Sequence, residues 1–186
     1  SEAFLNQFNS RERWYLKDNV LKYEPFYTVE IVQHPSEQDI EIWYELYKNV
    51  KNKSFDLNTF DLPKRIFENM ALSANCEIMQ LKVKIDGQDS KVVSVTFNIV
   101  TASNNYCGII IGLDYDYLKS HGVYKQTLYT SIIRAGQLKT NKMFLGFTAS
   151  EVKKKFGAKA HPQVAYLQMQ DHYSLSVINA IPNTNV

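Results

Sequence analysis

The stretch that decides the fold reads Tyr106-Cys107-Gly108-Ile109-Ile110-Ile111-Gly112-Leu113-Asp114-Tyr115-Asp116-Tyr117-Leu118-Lys119-Ser120-His121-Gly122-Val123-Tyr124-Lys125. From Tyr106 to Leu113 it is apolar or small without alternation, as expected of a central strand covered on both faces. Past Leu113 an acidic, aromatic loop leads into a helix that opens on Gly122. A helix start points unpaired backbone amides outward, and together with the helix dipole they favour an anion such as a pyrophosphate. A glycine there is equally a conformational device, supplying dihedrals that other residues find strained. Both readings stand at this point.

Upstream the period is two. Met79, Leu81, Val83 and Ile85 alternate with Gln80, Lys82 and Lys84, which predicts a half-buried strand. Asp86-Gly87 turns the chain, Val93, Val95, Phe97 and Ile99 alternate with Ser94, Thr96 and Asn98, and Ser103-Asn104-Asn105 turns it again into the quoted strand. The result is a three-stranded antiparallel meander. Two helices precede it. One starts at Ser36, with Asp39 placed to complete its cap, and carries Ile40, Trp43, Tyr44, Tyr47 and Val50 on one face. The other is announced by Asp61 as cap and Pro63 in its first turn, and lines up Leu62, Ile66, Phe67 and Met70. Before these, a short helix capped by Ser10 runs to Lys22 and stops ahead of Glu24-Pro25, and Tyr27 to Val32 alternates as a strand.

Downstream, a helix from His121 to Leu138 carries Tyr124, Leu128, Ile132 and Ala135, and a strand from Met143 to Phe147 follows it. Strand, helix and strand in that order imply parallel pairing. A short helix from Ala149 to Phe156 ends at Gly157, and Val164 to Met169 supplies a last strand. The fold class is therefore α+β in α/β/α layers: a mixed central sheet, an antiparallel meander followed by a parallel β-α-β crossover. The expected organisation is an N-terminal helix and strand lead-in over 1–35, one domain over 36–178, and a flexible tail over 179–186.

Composition excludes more than it assigns. In 186 residues, 21 Lys+Arg against 19 Asp+Glu leave +2, so no clustered basic excess marks a site for duplex nucleic acid. The longest apolar run falls far short of the roughly 20 residues that span a bilayer. Cys76 and Cys107 lie in apolar stretches and read as reduced core thiols of a cytoplasmic protein. His34, His121, His161 and His172 lack the paired spacing of metal ligands, so no metal is expected.

The order of elements resembles the GNAT-type acyl-CoA N-acyltransferase fold. Lys119-Ser120-His121-Gly122-Val123-Tyr124 stands where that family has its Arg/Gln-x-x-Gly-x-Gly/Ala coenzyme A loop, Leu128 to Gly136 resembles the following helix, and Lys153-Lys154-Lys155-Phe156-Gly157-Ala158 stands where many members have a Tyr-x-x-x-Gly-Phe ending. A narrower resemblance is to the Fem-type aminoacyltransferases, which carry two such units in tandem. Ser10-Arg11-Glu12-Arg13-Trp14 and the Tyr27 to Val32 strand look like the entry to the second unit, and Val152 to Gly157 like its closing segment.

The resemblance implies that backbone groups of Ile111, Gly112 and Leu113 hold a pantetheine arm, and that the amides of His121, Gly122, Val123, Tyr124 and Lys125 receive the pyrophosphate. It implies acetyl-CoA or another acyl-CoA as cosubstrate, no covalently held cofactor, and a small-molecule or peptide amine as acceptor. A tandem GNAT-like domain or a second copy is the expected protein partner. Two residues depart from the pattern: Tyr124 replaces the second small residue of the loop, and Lys153 stands at the place of a frequent Tyr general acid. The rest of the lysine run reads as a solvated helix face. Asp114 and Asp116 are the best-placed carboxylates for a catalytic base, and read equally as loop-capping acids. The expected function is acyl or aminoacyl transfer from coenzyme A or an acyl carrier to an amine; the alternative is a catalytically degenerate unit serving as the binding or structural half of a tandem protein.

Overall fold

The structure is a computed structural model that describes residues 2–53, 61–84, 90–146 and 149–162. The elements run α1 (Glu2–Leu5), α2 (Ser10–Asn19), a 3-10 helix (Leu21–Phe26), β1 (Tyr27–Val32), α3 (Glu37–Lys53), α4 (Lys64–Ala71), β2 (Cys76–Val83), β3 (Lys91–Val100), β4 (Asn105–Leu113), α5 (Tyr117–Ser120), α6 (Val123–Gln137), β5 (Lys142–Phe144) and α7 (Ser150–Lys154). The expected Asp86-Gly87 turn, the end of the expected strand at Phe147, the strand from Val164 to Met169 and the tail from Asn179 lie outside the described residues.

The strands form one mixed sheet in the order β1-β2-β3-β4-β5. β1 to β4 pair antiparallel, and β5 joins β4 in parallel after the α6 crossover. The architecture is the expected α+β sheet with helices. β1 pairs with β2 along its whole length, from Tyr27 opposite Val83 to Val32 opposite Ile78, so the lead-in is part of the sheet.

Both faces of the sheet are covered. α3 and α4 close one, where Trp43, Leu46, Tyr47, Phe67, Ile78 and Phe97 form a cluster. The Trp43 and Phe67 rings both meet Phe97 edge-on, at centroid distances of 5.6 and 5.3 Å, the favoured geometry for aromatic pairs. α6 lies on the other face, and α2 packs over α6 through Leu16, Val20, Leu128, Tyr129 and Phe156. Coverage from both sides corrects the half-buried reading of β2. Gln80 is buried and its Oε1 accepts a 3.0 Å bond from Trp43 Nε1. A polar residue in the alternation is thus inside, because it finds a donor there.

Cap assignments also move. Asn9, not Ser10, caps α2: its side chain accepts from the Glu12 amide while Glu12 reaches back to the Asn9 amide. Pro63 is the N-cap residue of α4, and Asp61 pairs with Lys51 instead of capping. At α3 the Ser36 and Asp39 reciprocal cap forms as expected.

Candidate functional site

β4 and β5 stay together for three residue pairs, Asn105 with Lys142, Tyr106 with Met143 and Cys107 with Phe144, and then part. A bulge begins just past that point. Phe97 of β3 faces Ile110 and Asn98 faces Gly108, which leaves Ile109 without a partner in the register. A bulge sharpens the local twist and bends its strand, so β4 turns away from β5 where the pairing stops. Ile109 and Phe144 border the opening and are 53% and 45% exposed.

Beyond the bulge, β4 has no strand partner on this edge among the described residues. The Asp114 amide donates to the Val93 carbonyl at 2.8 Å, toward β3. Backbone groups alternate sides along a strand, so Gly112 also faces β3 while Ile111 and Leu113 turn theirs to the open edge. The Leu113 carbonyl takes a 3.2 Å bond from Asn49 Nδ2. Among the described residues nothing takes Ile111 N–H and C=O or Leu113 N–H, which stand on the edge as a donor-acceptor ladder. Of the three residues expected there, Gly112 serves another purpose, because a Cβ at this position would lie 2.8 Å from Leu46 Cβ and 2.9 Å from the α3 backbone. It lets α3 approach β4.

The start of α6 is built differently from the expected anion loop. Gly122 caps it in the left-handed region at φ 61°, ψ 36°, and the Gln126 amide makes the first helical bond, to the Gly122 carbonyl at 3.0 Å. The amides before Gln126 are therefore the orphans of a helix start. The His121 amide, expected among the anion donors, is already bonded to the Tyr117 carbonyl at 3.2 Å, and Tyr124 and Lys125 are half-buried. Gly122 and Val123 are buried, and the Tyr23 ring and the Asn19 carbonyl lie 3.4 and 3.7 Å from where a Gly122 Cβ would be. Gln126 Nε2 donates to the Val20 carbonyl, Lys125 Nζ to Asn19 Oδ1 at 3.2 Å, and the Tyr27 hydroxyl to the His121 carbonyl at 3.1 Å. The Phe26 ring meets His121 edge-on. Tyr124 points into the apolar clusters beneath, and burial pushes its hydroxyl up to about 12.

The two carboxylates sit at the far end of β4. Asp114 Oδ2 accepts from Lys91 Nζ at 2.8 Å and Oδ1 from the Asp116 amide at 3.1 Å; Lys91 is correspondingly held above its ordinary pKa by that bond. Asp116 is exposed. Together with Asn49, Asn52, Lys53 and Tyr115 they line a polar cavity of about 210 Å³. The Lys53 ammonium stands 4.2 Å from the Tyr115 ring centroid, within cation-π range.

Lys153 is buried on α7 and its ammonium is disfavoured by desolvation, which lowers its pKa. Lys154 bonds Glu151 at 2.7 Å and, like Lys155, is exposed. Cys76 and Cys107 are half-buried free thiols. Among the described residues no helix is long and apolar enough to cross a membrane.

Two features lay outside the reach of the sequence reading. The bulge at Ile109 leaves no mark in an apolar run, and the packing of Asn19, Val20 and Tyr23 onto Gly122 joins segments about a hundred residues apart, as the 106-residue separations of the Lys125 and Gln126 bonds show.

No family model matches the chain, and no curated protein matches it. Solved structures do. An aminoglycoside acetyltransferase from an uncultured soil metagenomic sample, solved with sisomicin, superposes with a TM-score of 0.53 at 13% identity, over 79% of this chain and 97% of that one. A ribosomal-protein-alanine N-acetyltransferase from Brucella melitensis gives 0.52 at 13% identity over 78% and 99%. A GNAT family acetyltransferase from Staphylococcus aureus gives 0.53 at 9% identity over 77% and 98%. The chain shares the fold of these acetyltransferases.

For the coenzyme A that such a fold implies, the two halves of the site give different answers. The β4 edge offers the alternating backbone donors and acceptors that an amide-containing pantetheine arm needs. At the start of α6 Gly122 and Val123 are buried and the Tyr23 ring and Asn19 stand over the turn, so the amides that would receive a diphosphate lie under the chain's own side chains.

Proposed function

We propose that this chain transfers an acyl group to an amine, with the donor's arm lying along the free edge of β4. The observation that carries this reading is the parting of β4 from β5 after three pairs, which leaves Ile111 and Leu113 backbone groups facing a cleft. In the reaction the acceptor nitrogen attacks the acyl carbonyl. A C–N bond forms, the bond from carbonyl to the donor's sulfur or oxygen breaks, and the proton shed by the amine ends on the leaving group. Backbone N–H groups on the β4 edge stabilise the oxyanion, and the protein's main contribution is orientation.

Asp114 and Asp116 serve as the carboxylates that take the proton from the amine. Asp114 follows Leu113 directly, so a carbonyl held at the C-terminal end of the free edge lies within its reach, and Lys91 fixes its orientation. The polar cavity of about 210 Å³ beside it admits a small-molecule or peptide amine.

A second reading, a non-catalytic half of a tandem protein or of a dimer, is favoured by the covered start of α6. Thiol release from acetyl-pantetheine in the presence of a panel of primary amines separates the two. Release that depends on both protein and amine supports transfer, and its absence across the panel supports the second reading. Given turnover, Asp114→Asn is expected to lower kcat about 100-fold with little change in KM, the scale of a lost general base. An unchanged rate removes Asp114 from the role.

A further inference from the structure

In the acyltransferases this fold resembles, the start of the helix after β4 is the diphosphate seat. Here α2 and the 3-10 helix, from the chain's own N-terminal segment, lie on that place. We infer that this segment fills the seat, so that the donor is selected by its acyl arm on β4 and not by a nucleoside diphosphate. The inference rests on the transfer reading for its donor, but the state of the seat is independent of that reading.

Four contacts carry it, and they come from consecutive turns of the covering segment. The Tyr23 ring lies 3.4 Å from where a Cβ on Gly122 would be, which leaves over the turn about the room of one methyl group. One turn earlier, the Asn19 side chain takes the Lys125 ammonium, which a phosphate would otherwise recruit. The Val20 carbonyl takes the Gln126 side chain. Beyond the turn, the Tyr27 hydroxyl takes the His121 carbonyl. The segment thus satisfies a cation and closes off the glycine turn, the two things an anion needs there. The place is also lined with acceptors: the Val20 and Asn19 carbonyls, the Asn19 amide oxygen, and Gln126 Oε1, which is buried with no donor among the described residues. Carbonyl and amide oxygens repel a phosphate oxygen at contact, and a buried acceptor cannot relieve the repulsion through water.

The cover is anchored from both ends. α2 is held on α6 by Leu16 and Val20, both essentially inaccessible, and the 3-10 helix runs straight into β1, which is paired with β2 over six positions. The backbone of the cover is thus fixed, and what stands directly over Gly122 is the Tyr23 ring, whose truncation opens that space.

The direct test is a titration of the 15N-labelled full chain with inorganic pyrophosphate, followed at the amides of Gly122, Val123, Tyr124 and Lys125. The wild-type amides are expected to stay in place at millimolar pyrophosphate, while Tyr23→Ala, which opens the space over Gly122, is expected to give a saturable shift. A saturable shift in the wild type overturns the inference, and no shift in either chain overturns the role given to Tyr23. A second arm compares acetyl-CoA with acetyl-pantetheine by calorimetry. Affinities within about twofold of each other are expected; a preference for acetyl-CoA of tenfold or more, which corresponds to about 1.4 kcal/mol, overturns the inference if pyrophosphate competes it away. Failure of both donors to bind would count against acyl transfer, and the pyrophosphate titration would still decide the state of the seat.

Discussion

Gly112 illustrates how one residue's small size becomes a structural requirement. Its backbone faces β3 and its Cα faces α3, and a methyl group placed on it would meet Leu46 and the helix backbone at 2.8 to 2.9 Å, closer than real Cβ contacts come. Backbone cannot yield as a flexible side chain does, so α3 would have to lift. Gly112→Ala is expected to cost about 1–3 kcal/mol, the range for overpacking a well-filled interior, and to lower the urea midpoint accordingly; a variant as stable as the wild type would show that α3 gives way freely. Gly122 has a different reason for being glycine. Its φ of 61° is left-handed, and an alanine there would be strained by about 1–2 kcal/mol even with space around it. The sequence offered a special backbone angle as one reading of Gly122, and φ bears it out, whereas nothing around Gly112 in the apolar run names Leu46 as the neighbour that requires it. The Gln80 side chain makes the same point for polar residues. Alternation placed it outward, yet the Trp43 indole and the Glu30 carboxylate satisfy it inside.

Among elements, the meander and the helices were legible because each has a period of its own: two for β2 and β3, three to four for α3. β1 coincides residue for residue with the alternation that predicted it. Helix ends were less legible, since Asn9 and Ser10 are equally good caps by type and only geometry chooses Asn9. β4 was identified as a strand but not as a bent one. Its edge nonetheless makes a sharp expectation for hydrogen exchange. Amides of Ile110, Gly112 and Asp114 face β3 and should exchange slowly, whereas those of Ile111 and Leu113 face the cleft and should exchange fast, an odd-even contrast of at least about tenfold for bonds broken only by local opening. Uniform protection along β4 would mean that its edge is covered, and the place assigned to the donor's arm would be lost with it.

At the scale of the whole molecule, covering the sheet on both faces buries several groups in their neutral form. Burial pushes the Cys76 thiol from 9.0 up to about 11 and the Tyr124 hydroxyl from 10.0 up to about 12, and it raises Tyr27 and Tyr106 as well. Between the ordinary and the raised pKa the folded chain holds more protons than the unfolded one, so stability falls as pH rises through that window. Denaturation midpoints are expected to be flat near neutrality and to decline from about pH 9 upward, with Cys76→Ala flattening the first part of the decline; stability that holds up to about pH 11 would contradict this. The layer order followed from the order of elements, but the seat at α6 did not, because it joins segments about a hundred residues apart. The bulge at Ile109 acts on the same scale. Before it, even-numbered residues of β4 look toward α6, as Tyr106 does in bonding Glu77, which in turn binds Arg134; after it they look toward α3, as Ile110 and Gly112 do. The extra residue is thus a parity switch. Removing Ile109 would therefore leave every later residue on its present face, since Gly108 and Ile110 would then follow each other in plain alternation opposite Asn98 and Phe97; what would be lost is the local bend that the extra residue gives β4.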